Sequence, residues 1–222
     1  MTARGGGATI PGMIAKSGAP AAAEQVEQVD EVDEDRRFVI HDVSWEQYEA
    51  LCEIFAEKAG IRMTYLEGEL ELMSPSPLHE RWKKNFARLF ELWAIERGVV
   101  ANGLGSTTFR KRAKDRGAEP DECWFIDRVA RDGDVPDIVF EAVVKSGGIE
   151  KLDVYAGLGV REVWFWTRGG ARIYHLGESG YEQRERSALV PGLDFAALAP
   201  FVDAIDQTRA VLAFRDLLRR DA

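Results

Sequence analysis

Apolar residues first recur with a helical period after Ser44. Tyr48, Leu51, Cys52 and Phe55 fall three and four apart, and Ser44-Trp45-Glu46-Gln47 has the form of a capping box. The spacing predicts a helix that stops at Gly60. From Arg62 to Met73 the period changes to two. Glu69-Leu70-Glu71-Leu72 alternates and Glu67-Gly68 supplies a turn, so the stretch reads as a hairpin with Glu67, Glu69 and Glu71 along its outer face, Glu67 alone being a candidate to approach a site. Ser76 caps and Pro77 opens a longer helix, in which Leu78, Trp82, Phe86, Leu89, Phe90 and Trp93 form one apolar stripe ending at Gly98.

After Gly105 the apolar runs shorten. Residues 106–110, 123–126, 136–144, 162–166 and 171–176 read as strands, with a hairpin turn at Thr167-Arg168-Gly169-Gly170. A helix over about 148–157 interrupts them, and a terminal helix runs from Asp206 to Arg220. Trp164 and Trp166 stand two apart on one strand, share a face and read as core. Helix, hairpin, helix, strands, helix and strands in that order predict a single α/β domain of mixed α+β character over residues 37–222. Residues 1–36 read differently. Gly, Ala and Pro give way to acids with few large apolar groups to bury, the composition of a disordered acidic tail.

Charge and cysteine content narrow the function classes. The chain of 222 residues carries −9, but seven acids lie between Glu24 and Asp35, so all other residues together carry only −2. A basic surface for nucleic acid is therefore compatible with the acidic total. One such surface is Arg110, Lys111, Arg112, Lys114 and Arg116, a candidate phosphate-contacting loop. No apolar run approaches the ~20 residues that span a bilayer, so no membrane partner is expected. Cys52 and Cys123 lie far apart and read as free thiols of a cytoplasmic protein. His41, His79 and His175 are scattered, which argues against zinc.

The candidate chemistry lies in two carboxylates and a lysine. Asp137 and Glu141 share a face of their strand, but four residues cover ~13 Å, too far for one ion. Asp121 is the better partner. If Asp121–Ile126 pairs antiparallel with Pro136–Val144, opposed groups come within ~5 Å. Such a pair meets the needs of Mg2+, which takes one or two protein carboxylates and fills its sphere with water and phosphate. A lysine two residues after Glu141 would share its face, but that place is Val143. Lys145 has the right parity and lies further along. Lys151, beyond Ser146-Gly147-Gly148, can fold back over the strand end and is preferred as the group that holds the water and offsets phosphate charge.

Several motifs together carry a family resemblance over residues 40–200. They are Tyr65-Leu66-Glu67-Gly68-Glu69-Leu70-Glu71-Leu72-Met73-Ser74-Pro75-Ser76 with His79-Glu80, then Gly105-Ser106-Thr107-Thr108 and Glu119-Pro120-Asp121-Glu122. Ser146-Gly147-Gly148-Ile149-Glu150-Lys151 with Tyr155, and Gly159-Val160-Arg161-Glu162-Val163-Trp164, complete the set. The chain resembles the Uma-type endonucleases of the PD-(D/E)XK, restriction-endonuclease-like superfamily. The resemblance implies a central mixed sheet flanked by helices, a Mg2+- or Mn2+-dependent nuclease acting on DNA, and often a homodimer. Carried over by motif, Asp121 and Glu141 are the metal-binding acids, Lys151 is the catalytic lysine moved onto a helix, and Glu80 stands where relatives place an auxiliary acid. Glu80 could equally pair with Lys84, and His79 reads as a satisfied, half-buried histidine. A rival reading is a catalytically inactive module of the same fold that binds nucleic acid or a protein. The acidic tail is a candidate cover for a basic groove.

Overall fold

The computed structural model describes residues 34–55 and 60–220, and most of the segment read as an acidic tail lies outside them. Within the described residues, two sheets and five α-helices alternate in layers. The first sheet has β1 (Arg36–Ile40), β3 (Glu69–Ser74), β2 (Arg62–Leu66), β6 (Arg116–Ala118) and β5 (Phe109–Lys111) in that spatial order. The second has β11 (Gly180–Arg184), β10 (Gly170–Gly177), β9 (Glu162–Thr167), β8 (Ile138–Val143), β7 (Glu122–Ile126) and β4 (Ala101–Gly103). Every neighbouring pair is antiparallel except β8 and β9, which are parallel. Parallel neighbours need a crossover, and α3 (Lys151–Leu158) provides it. The expected mixed sheet flanked by helices is present. The hairpin does not join it but helps to build the first sheet, which is wholly antiparallel.

Each helix covers the sheet face its apolar stripe requires. α1 (Trp45–Phe55) closes the outer face of the first sheet, where Trp45 and Tyr48 pack with Met63, Tyr65 and Leu70. The capping box at its start is formed: Ser44 Oγ accepts from Gln47 N at 3.3 Å, and Ser44 N donates to Gln47 Oε1 at 2.8 Å. α3 lies between the sheets, its Val154, Tyr155 and Leu158 meeting Phe109 and Ala118 on one side and Phe125, Val139 and Val163 on the other. The far face of the second sheet is covered by α2 (Pro77–Arg97), α4 (Phe195–Val202) and α5 (Gln207–Arg220). Ser76 Oγ accepts from His79 N at 3.2 Å at the start of α2, and Gly98 ends it at φ 67°. Trp164 and Trp166 are buried in this layer, as their shared face implies.

α3 begins at Lys151, a little later than the apolar pattern suggests. Gly147 and Gly148 hold φ of 119° and 94°, backbone that a helix cannot continue. α4 has no counterpart in the sequence reading, because Phe-Ala-Ala-Leu-Ala-Pro-Phe-Val is too short and too uniformly apolar to show a period. Order begins earlier than Phe38: β1 starts at Arg36, and Asp35 ahead of it is buried. No helix among the described residues is long and apolar enough to cross a membrane. Cys52 and Cys123 are both free.

Phe86 is the centre of the α2 layer. It is fully buried and stacks on Phe140 with ring centroids 4.1 Å apart. Phe86→Ala is expected to cost about 3–5 kcal/mol, lowering the melting temperature by roughly 10 °C in a thermal scan.

Candidate active site

Four elements deliver side chains to one point at the N-terminal end of α3. The β7–β8 ladder pairs Glu122 with Phe140 and Cys123 with Val139, and its continuation sets Asp121 opposite Glu141. Both carboxylates are buried, each at 1% relative exposure. Lys151, the first residue of α3, reaches back over the strand end with Nζ 2.6 Å from Glu141 Oε2. Tyr155, one turn further along α3, donates its hydroxyl to Glu141 Oε1. Asp121 Oδ2 accepts from Ala142 N at 2.8 Å, so the backbone of β8 fixes one carboxylate while its side chain presents the other.

A histidine and two further acids complete the cluster. His79, in the first turn of α2, lies with Nε2 2.8 Å from Asp121 Oδ1 and Nδ1 3.1 Å from Asp35 Oδ2. Asp35 Oδ1 in turn accepts from Ser76 N at 2.9 Å. His79 and Asp121 meet as an ion pair without hydrogen-bond alignment, which leaves Asp121 Oδ1 buried and lacking an aligned donor. Glu71 on β3 is also buried, and its Oε2 accepts from Ile149 N at 3.2 Å. A Cβ on Gly148 would stand 1.7 Å from that oxygen, so glycine is required for the loop to pass.

The electrostatics follow from burial and pairing. Burial alone would lower the pKa of His79, yet Asp121 and Asp35 raise it to about 9, so it is a cation at neutral pH. Burial would raise Asp121, but His79, Lys151 and the Ala142 amide hold it down at about 2. Burial and the neighbouring Asp121 raise Glu141, and the opposing pull of Lys151 and Tyr155 does not cancel this. Lys151 is desolvated, which works to lower it, but Glu141 and Asp121 raise it above its ordinary value, so it stays protonated. Among the described residues, the cations that meet Asp35, Glu71, Asp121 and Glu141 are thus His79, Lys151 and, at the rim, Arg37, 3.5 Å from Asp35.

That excess of negative charge and the unaligned Asp121 oxygen suit a divalent cation. No group of three or more His, Cys, Asp or Glu among the described residues has the arrangement of a metal site. Two carboxylates are nonetheless enough for Mg2+, which keeps several waters. The donor set therefore fits a hard ion held by Asp121 and Glu141.

The sequence-derived candidates divide. Asp121, Glu141 and Lys151 converge. Glu80 does not: it is half-exposed, and it pairs with Lys83 at 3.5 Å and Arg62 at 3.9 Å rather than with Lys84 or the site acids. His79, its neighbour, is the α2 residue that reaches Asp121, and it is fully rather than half buried. Lys145 is exposed and pairs with Glu34 at 2.6 Å. Asp137 accepts from Ile126 N and Arg128 Nε and takes no part. Glu71 corrects the hairpin reading, in which all three glutamates faced outward. Glu67 does so and pairs with Arg116, whereas Glu71 faces the covered side of the first sheet, where the residue 147–149 loop passes over it. Within the basic run, Arg112 pairs with Glu46 and Glu49, and Arg116 with Glu67.

The His79–Asp121 pair gives a pH signature in metal-free protein. His79 contributes stability fully below its ordinary 6.5 and loses it as the pH rises through about 9. Asp121 contributes above its ordinary 3.8 and loses it as the pH falls through about 2. His79→Gln is expected to lower the melting temperature most between about pH 4 and 6.5, with the difference from wild type shrinking towards pH 9. A difference independent of pH across that range would contradict the pairing.

Residues 45–204 match the model of the Uma2 family, described as “Putative restriction endonuclease”. Comparison with curated proteins gives no match.

Proposed function

Because this chain belongs to the Uma2 family, with the restriction-endonuclease-like fold, we propose that it is a metal-dependent endonuclease that hydrolyses DNA phosphodiester bonds at the Asp121–Glu141–Lys151 site. The observation that carries this reading is the convergence of two opposed, buried carboxylates on one protonated lysine, with Nζ 2.6 Å from Glu141. Asp121 and Glu141 would hold Mg2+ or Mn2+. When bound, such an ion polarises a phosphoryl oxygen and lowers the pKa of a coordinated water.

The side chains have separate tasks. Ala142 N fixes one oxygen of Asp121, and the His79 cation stands 2.8 Å from the other and keeps it ionised. Tyr155 holds Glu141 by one oxygen while Lys151 meets the second. Lys151 retains its proton, so it serves as a cation and not as a base. It offsets the charge that grows on the phosphate during in-line attack and holds the attacking water by hydrogen bonding. Burial keeps bulk water away and strengthens each of these interactions.

Two measurements test the assignment. Wild-type protein is expected to nick or linearise supercoiled plasmid in Mg2+ or Mn2+ and to stop in chelator. Asp121→Asn and Lys151→Ala should each lower that rate by about a hundredfold or more. Cleavage that survives both substitutions would place the chemistry elsewhere. Independently, Mn2+ should raise the melting temperature of wild type and not that of Asp121→Asn. No metal response and no cleavage by folded wild-type protein would favour the non-catalytic module.

A further inference from the structure

A cavity of about 290 Å3 opens beside the site, on the α3 side of the second sheet. The short α3 leaves part of that face uncovered. Phe165 on β9 and Tyr174 on β10 form its aromatic wall, partly exposed, with ring centroids 5.7 Å apart and planes at 79°. Thr167 stands beside them at the end of β9. Three cations surround the opening. Lys151 lines the cavity as well as meeting Glu141. Arg37 is anchored from the other side, donating to Gly147 O and lying 3.5 Å from Asp35. Arg172 is exposed, and no ion pair or hydrogen bond to its guanidinium occurs among the described residues. Glu150 also contributes to the lining, but its carboxylate is engaged in capping α3 through Leu152 N at 3.2 Å.

We propose that this cavity receives one unpaired nucleotide of the DNA substrate, which makes the enzyme selective for strands with an extrahelical or single-stranded nucleotide next to the scissile phosphate. The proposal rests on the nuclease reading above. The volume lies at the lower end for ligand pockets and suits one nucleotide, not a base pair. The aromatic wall needs a base with a free face, and in a duplex both faces of each base are covered by stacking. An extruded or single-stranded base offers that face, and stacking on aromatic side chains is tolerant of sequence. Arg172 and Arg37 are placed to meet the flanking phosphates, while Lys151 joins the cavity to the reaction centre. Lys151 is the link between them, since it lines the cavity and lies 2.6 Å from Glu141.

The test compares two DNAs of equal length in Ca2+, without Mg2+ or Mn2+, by fluorescence anisotropy with the full-length protein. One is fully paired; the other carries a short single-stranded flap with 2-aminopurine as its first unpaired nucleotide. Wild type is expected to bind the flap DNA about tenfold more tightly and to quench the 2-aminopurine by stacking. Arg172→Ala and Tyr174→Leu should each bring the affinity ratio towards one. Arg172 is exposed, so its variant carries the test even if Tyr174→Leu does not fold. Equal affinity for both DNAs from a wild type that cleaves plasmid overturns the cavity assignment and leaves the nuclease reading standing. A flap preference and quenching unchanged in both variants also overturns it. Absence of both DNA binding and plasmid cleavage overturns the two readings together.

Discussion

Burial of charge between the two sheets is the constraint to which the rest of the fold answers. Asp35, Glu71, Asp121 and Glu141 are withdrawn from water together, and an unpaired carboxylate in such a place costs several kcal/mol. The structure meets that cost with partners from distant parts of the chain. His79 comes from the first turn of α2, Lys151 and Tyr155 from α3, and backbone amides from Ala142 and Ile149. Glu141 has a partner on each oxygen, yet burial and the neighbouring Asp121 still raise its pKa, so carboxylates outnumber the cations that face them. Under the proposed mechanism, that imbalance is the driving force for binding a cation.

The parallel β8–β9 pair decides where the lysine comes from. A strand-borne lysine two residues beyond Glu141 would share its face, but that position is Val143, half-buried at the end of β8. The crossover that joins β8 to β9 must turn through the glycine loop and start a helix directly above the strand end. The first residue of that helix is then near enough to replace the missing strand lysine. Topology supplies by return of the chain what the strand spacing omits.

Much of this was legible in the sequence where local pattern and geometry agree. The antiparallel partnership that opposes Asp121 and Glu141 follows from two short apolar runs and a turn, and the reach of Lys151 follows from the loop length. Both helix caps at Ser44 and Ser76 formed as written. What was hidden depends on which faces become covered. Glu71 alternates with leucines and reads as solvent-facing, because one hairpin alone cannot reveal that a loop 78 residues away will close over its polar side. His79 was passed over for the same reason. Its burial requires Asp35 at its back, and Asp35 sits at the end of an acidic run whose composition gives no hint of a buried member. α4 was lost to a different cause, a run too apolar to show a polar face.

Asp35 also bears on how the protein is handled at the bench. A boundary drawn where the acidic composition ends, at residue 37, would discard the carboxylate that backs His79 and the Glu34 carboxylate that holds Lys145 at 2.6 Å. Such a cut would also remove the first residue of β1 and the acceptor for Ser76 N. Asp121 would have lost the support behind its histidine. An inactive shortened preparation would then say more about where the chain was cut than about the site.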